Sequence, residues 1–299
     1  MRAVLFEYIK KAISENPNVF FLTGDVGFNL VESMFEQFPD RAMNIGVAEQ
    51  NLVGVTAGLC NLGFKPVCYS YTNFLAERSF EQIRDDICLH NYAPVFLGTT
   101  TGFDNGILGP THLALDDMAG LKALPNIRIY SPSSVESMAL VIKEALALKN
   151  EAAFIRFTKS EFLENKEIKE INRFMIQNEN ADVLFISHGK MAQNCYKVAA
   201  FNKSLDLFAM DRIKPIDEEN TTKLLRKYKK IVIVEDNFKS AGLFNSIAQF
   251  AVEKNLRDAK IISLSPREIY DEHIGSAEYF EEKNGISPGK IAEFIQKLI

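Results

Sequence analysis

Residues 48–71 read AEQNLVGVTAGLCNLGFKPVCYSY, and this stretch decides the fold. From 48 to 62 the apolar residues recur at helical spacing, and Gly63 stands where a helix C-cap belongs. Residues 65–71 follow as a short apolar strand. Moving outward, 18–23 is an apolar run that stops at Gly24-Asp25, as a buried strand would. Downstream, 72–89 reads as a helix with Phe80, Ile83 and Ile87 on its core face, then 93–100 as a strand. A glycine-rich loop from Gly102 to Gly109 leads to a helix over 113–124 closed by Pro125. A strand at 126–130, a Ser-capped helix at 133–149 and a strand at 152–157 complete the unit. Short apolar strands between amphipathic helices imply a mostly parallel sheet covered on both faces. Over 159–180 the composition turns charged and polar, and the alternation then restarts. Strands are expected at 182–187, 205–210, 230–235 and 260–264, with a last helix at 289–298. The expected fold class is α/β with two domains, 1–165 and 181–299, joined by a linker over 166–180.

Composition excludes several function classes. The 299 residues carry a net charge of -5, and the basic run at 226–230 reads as a solvated helix end, so nucleic acid is not an expected partner. Cys60, Cys68, Cys88 and Cys195 sit among apolar neighbours without C-x-x-C spacing, which favours free thiols in a reducing compartment. The first residues lack a signal-peptide core, and no run of 18 apolar residues occurs. The expected location is the cytoplasm, away from membranes.

Phosphate-binding motifs are missing. No G-x-G-x-x-G follows a strand, no G-x-x-x-x-G-K-[ST] occurs, and Gly24-Asp25 continues with Val26 rather than a glycine. Three other blocks carry chemistry. Asn44-Ile45-Gly46-Val47-Ala48-Glu49-Gln50-Asn51 places a carboxylate at a helix start. The helix dipole also favours a carboxylate there, so Glu49 alone decides nothing. In the second block Tyr71, Phe74 and Arg78 fall at i, i+3 and i+7, an aromatic–arginine face apart from the core face that suits a flat heteroaromatic ligand. The third, Gly109-Pro110-Thr111-His112, sets a histidine in a glycine-rich loop just before a helix.

In order and spacing these blocks resemble the pyrimidine-binding domain of transketolases. The resemblance continues through Phe154-Ile155-Arg156, Ile213-Lys214-Pro215-Ile216-Asp217 and Val234-Glu235-Asp236-Asn237, so it covers nearly the whole chain. It implies a thiamine-diphosphate pyrimidine-binding fold plus a transketolase C-terminal-like domain. The domain that holds the cofactor's diphosphate, with Mg or Ca, is absent here and is a separate polypeptide in split transketolases. The implied metal ligands on this chain are none.

On that resemblance Glu49 is the catalytic carboxylate that hydrogen-bonds the aminopyrimidine ring of thiamine diphosphate and favours the tautomer that deprotonates the thiazolium. Tyr71 and Phe74 form the aromatic pocket, and Arg78 lies beside it. His112 is a catalytic and substrate-facing histidine, and Arg156 clamps a sugar phosphate. The implied activity is transfer of a two-carbon ketol unit between sugars. The implied assembly is an α2β2 heterotetramer, with two copies of this chain at the centre and N-terminal diphosphate-binding subunits as partners. Relatives often carry an acidic pair before Gly-Pro-Thr-His, where this chain has Gly106-Ile107-Leu108, which suggests an unusual, less hydroxylated or unphosphorylated sugar. Two enzymatic alternatives share the cofactor. One is the β subunit of a 2-oxoacid dehydrogenase decarboxylase. The other is a deoxyxylulose-phosphate-synthase-like enzyme, whose usual pattern has one residue fewer between the aromatic and the arginine. A non-catalytic scaffold is the alternative from another class.

Overall fold

The structure is a computed structural model that describes residues 1–164, 167–256 and 258–299. Its first half contributes β1 (Val19–Thr23), β2 (Ala42–Asn44), β3 (Lys65–Tyr71), β4 (Val95–Thr99), β5 (Ile127–Tyr130) and β6 (Ala152–Phe157). Its second half contributes β7 (Arg173–Ile176), β8 (Val183–Ser187), β9 (Leu205–Ala209), β10 (Arg212–Lys214), β11 (Lys230–Val234) and β12 (Lys260–Leu264). The first sheet has the order β10-β5-β6-β4-β3-β1-β2 and the second β12-β11-β8-β9-β7. Only β10 and β7, each at a sheet edge, run antiparallel to their neighbours. No helix among the described residues is long and apolar enough to cross a membrane.

Burial explains the composition of the strands. Every residue of β4, β6, β8 and β9 is buried, which is why they read as apolar runs broken only by Gly98, Thr99, Arg156, Ser187 and Asp206. On one face of the first sheet, helices Arg2–Glu15 and Val135–Ala147 pack Leu5, Ile9, Met138 and Val141 against Phe21, Val67 and Leu97. On the other face, Leu52, Ile83, Phe96 and Phe154 belong to one cluster with Leu184, Ile186, Leu224 and Ile231 of the second half. The two halves share an apolar core. Cys60, Cys68, Cys88 and Cys195 are free, and burial pushes the Cys88 thiol up to about 11.

All nine strands expected from the sequence form, so the departures lie elsewhere. Asn165 and Lys166, where the expected linker begins, lie outside the described residues. Within the rest of that span Arg173–Ile176 is a strand, not a linker: it pairs with β9, and Phe174 meets the Phe208 ring edge-on at 5.2 Å. β10 belongs by sequence to the second half but closes the edge of the first sheet, with Arg212 opposite Tyr130. The helix expected over 72–89 is a π turn at Phe74–Arg78, one α turn at Phe80–Gln82 and a second π stretch at Ile83–Cys88. That expected over 113–124 shrinks to Met118–Ala123. Its first residues are held extended because Ala114 bridges to Gly102 and the Leu115 carbonyl accepts from the Phe238 amide.

Connectivity fixes where a ligand can sit. From β1 the chain steps to β2 on one side and returns to β3 on the other, so a crevice opens at the C-terminal ends of β1 and β3. Tyr71 ends β3, and helix Glu49–Asn61 starts after β2.

Ile213 anchors β10 and is 1% exposed. Truncation by Ile213→Ala is expected to lower stability by about 3 kcal/mol. Urea unfolding checks this, and amide exchange in Ile127–Tyr130 should rise more than in β4 if β10 protects that edge.

Candidate functional site

Glu49 opens its helix after Gly46, whose φ of +80° turns the chain out of β2. Its side chain is 1% exposed, yet its carboxylate does not cap the free amides of its own helix. Oε1 accepts from the Ser70 hydroxyl at 3.3 Å, and Oε2 accepts from Arg78 Nη1 at 2.5 Å. A buried carboxylate requires such partners.

The π turn Phe74–Arg78 lets Arg78 serve two neighbours. Its guanidinium carbon lies 4.6 Å from the centroid of the Phe74 ring while the same group bonds Glu49. A π turn is what one added residue produces in a helix, and such turns concentrate at functional sites. This fits the long Phe74-to-Arg78 spacing. Phe74 meets Tyr71 edge-on at 5.8 Å, and the His112 ring lies 5.1 Å from Phe74 and 6.0 Å from Tyr71. Glu49, Arg78, Phe74, Tyr71 and His112 thus form one chain of contacts at the crevice. Half of it is open: Asn73, Phe74, Glu77, Arg78 and Thr111 line a hollow, and Arg78 is 44% exposed. Flat aromatic edges beside a buried carboxylate are a donor–acceptor set that fits an aminopyrimidine.

Arg156 is elsewhere, and its expected role as a phosphate clamp is corrected. The side chain is fully buried at the C-terminal part of β6. Its Nε and Nη2 donate to Asp117 at 2.8 and 3.2 Å, and Nη2 also reaches the Ala114 carbonyl at 3.4 Å. Asp236 lies 3.7 Å from Nη1, and Asn237 donates to Asp117 at 2.8 Å. Nε and Nη2 are spent inside the protein, and Nη1 is buried without a hydrogen bond. Gly102 passes against Asp236 with a φ of +51°, and a Cβ there would collide with that carboxylate. In the sequence Asp236 and Asn237 were signalled by a polar run directly after the apolar strand β11 and Gly102 by the glycine-rich loop it opens, while nothing local linked Asp117 to them.

The model described as the pyrimidine binding domain of transketolase matches residues 1–163, and that described as the transketolase C-terminal domain matches 173–291. The chain belongs to the transketolase family. It is 30% identical over 276 residues to 1-deoxy-D-xylulose-5-phosphate synthase of Cytophaga hutchinsonii, covering 89% of this chain and 43% of that protein. With the Neisseria meningitidis synthase it shares 33% over 229 residues, 75% of this chain and 35% of that one. The chain therefore spans less than half the length of these curated relatives. A solved structure described as a split gene transketolase, inactive beta4 tetramer, superposes with a TM-score of 0.83 at 25% identity, covering 99% of this chain and 96% of that chain. Transketolase of Campylobacter jejuni shares the fold, with a TM-score of 0.82 at 16% identity over 99% of this chain and 46% of that one. The family is thiamine-diphosphate dependent, and the first half of this chain is its pyrimidine-binding domain.

In this transketolase-family chain a second pair of buried groups faces the Arg156 network. His188 meets the Ser131 hydroxyl at 3.0 Å through Nδ1, and its Nε2 lies 3.7 Å from Glu235 without a hydrogen bond. Burial, then the nearby Arg156 charge, pushes His188 down to about 4. Burial pushes Glu235 up to about 7 against the amides of Phe244 and Leu243, which donate to it.

The two act oppositely on stability. Glu235 titrates above its ordinary 4.5 in the folded state, so its contribution falls as pH rises from 4.5 to 7. His188 titrates below its ordinary 6.5, so its contribution falls as pH drops from 6.5 to 4. Replacing His188 by Gln removes the second loss. Relative to wild type, the variant should gain about 1–2 kcal/mol between pH 7 and pH 5. Urea midpoints at the two pH values measure it; an offset independent of pH would show that His188 is not held neutral by the fold.

Proposed function

We propose that this chain is the pyrimidine-holding, C-terminal subunit of a split, thiamine-diphosphate-dependent transketolase that transfers a two-carbon ketol unit between sugars. The observation that carries the reading is the contact chain from buried Glu49 through Arg78 and Phe74 to Tyr71 and His112. The bound cofactor would supply the stabilised carbanion on which ketol transfer depends. Glu49 would hold a proton against the aminopyrimidine ring, and Tyr71 and Phe74 would orient the ring by their faces and edges. For the ligand to take the carboxylate, Arg78 must give up its bond to Glu49 and remain beside the site. His112, at the rim, would meet the sugar. Arg156 acts here by positioning the loop that carries His112.

The motifs of this chain include none that cradles a diphosphate, which supports a partner bringing that end of the cofactor with Mg or Ca. An α2β2 heterotetramer in the cytoplasm, with two copies of this chain at its centre, follows from that division of labour. Residues 1–165 would act as the pyrimidine-binding unit and 181–299 as the C-terminal-like unit, with β7 added to the latter. A second reading, condensation of a 2-oxoacid with a sugar phosphate, is favoured by the synthase names of the relatives at 30–33% identity. Release of carbon dioxide from pyruvate with a triose phosphate would select it, and ketol transfer without decarboxylation would select the first.

Two measurements test the proposal. With the diphosphate-binding partner present, Glu49→Gln is expected to lower turnover by about 100-fold or more, and normal turnover would defeat the reading. Ile107 is 64% exposed and Leu108 49% exposed at the loop before His112. A sugar poorer in hydroxyls or lacking a terminal phosphate should therefore give the higher kcat/KM, and preference for ordinary pentose phosphates would overturn that part.

A further inference from the structure

We infer that Asn73 and Thr111 are positioning residues that fix His112 in one neutral form, with its proton on Nε2, the nitrogen left for a ligand oxygen; the inference rests on the reading of this cluster as the substrate end of the site. Asn73 is 4% exposed and directly precedes Phe74. Its Nδ2 donates to the Thr111 carbonyl at 2.8 Å, while its Oδ1 is buried without a partner. Turning the amide over would set Oδ1 against the carbonyl, two acceptors face to face, so the tether fixes the amide orientation. A buried asparagine with an unmet acceptor lowers stability, and what this one supplies in return is the tie between the aromatic segment and the histidine loop.

Thr111 carries that tie to the ring. Its hydroxyl lies 3.0 Å from His112 Nδ1. By distance alone either atom could be the donor; because Thr111 is exposed, water can serve its lone pairs, and its single proton is assigned to Nδ1. Donation to Nδ1 requires a lone pair there, which places the ring proton on Nε2. Phe74 and Tyr71 set the plane of the ring from two sides, at interplanar angles of 67° and 79°. His112 thereby presents an N–H donor, which suits a sugar hydroxyl or carbonyl oxygen rather than a group that must lose a proton. Neither Asn73 nor Thr111 needs to touch the ligand for this.

The isolated chain can be tested directly, because it has only four histidines. With 15N-labelled histidine at pH 8, His112 (assigned with His112→Asn) should show a single Nε2–H tautomer. Thr111→Val should average the two tautomers and Thr111→Ser should restore the single form. Asn73→Ala should loosen the ring in the same way. In the reconstituted complex, Thr111→Val should raise the sugar KM roughly tenfold, about the loss of one hydrogen bond, at unchanged cofactor affinity, with rescue by Thr111→Ser. A wild-type ring protonated on Nδ1, or a ring indifferent to Thr111→Val, overturns the inference, as does an unchanged sugar KM. A complex that binds no thiamine diphosphate while the tautomer responds as expected would defeat the functional reading instead.

Discussion

The pairing of Arg156 with Asp117 is the constraint on which the rest depends. Both side chains are out of water, and a buried charge left without its partner typically lowers stability by about 3–5 kcal/mol. Asp117 belongs to the same half as Arg156, but the second half adds Asp236, 3.7 Å from Arg156, and Asn237, which donates to Asp117, so the network also ties the two halves together. In the second sheet β8 lies between β9 and β11, so its connectivity reverses between β8 and β11. At such a point an α/β sheet ordinarily receives a ligand at the ends of its strands. Here His188 follows β8, Glu235 and Asp236 follow β11, and the first half inserts Arg156 toward them as a ligand would be inserted. The glycine at 102 is what lets Asp236 approach. Because Asp117 and the Leu115 carbonyl are both held by Asn237, the loop from Gly102 to Asp117 cannot drift, and His112 stands in the middle of it.

What was legible in the sequence divides along range. Most of the nine strands were legible because burial leaves a largely apolar run that needs no knowledge of its neighbours. β10 and β7 were not, since three or four residues beginning with an arginine become strands only through partners far along the chain, Tyr130 for Arg212 and Phe208 for Phe174. The candidate site follows the same division. Phe74 and Arg78 share one turn just after Tyr71 ends β3, and Gly109 and Pro110 fix the approach to His112 locally. An arginine ending a strand reads the same whether it faces a ligand or an internal acid. The acid that decides Arg156 lies 39 positions away, beyond any local pattern. Nor did helical spacing reveal the π turn, which depends on the hydrogen bonding of the backbone.

Glu49 and Arg78 set the terms on which this crevice can bind a ligand. A carboxylate that is 1% exposed needs a donor, and the chain supplies one in a planar, cationic group laid over the Phe74 ring. Those are the same two kinds of contact, a hydrogen bond with the carboxyl group and contact with an aromatic ring, that an aminopyrimidine would make. On the proposed reading binding is therefore an exchange, and the new hydrogen bond is gained only against the loss of a charge-assisted one. Arg78 can surrender it because its side chain is 44% exposed and its head can return to water, whereas Glu49 cannot leave. An exchange between near-equivalent contacts gives orientation but little net affinity. On that reading the free energy that holds the cofactor would have to come from its diphosphate end, where this chain offers no motif, so the pyrimidine contacts of this chain would serve alignment and proton control, and the holding would fall to whatever supplies the diphosphate site.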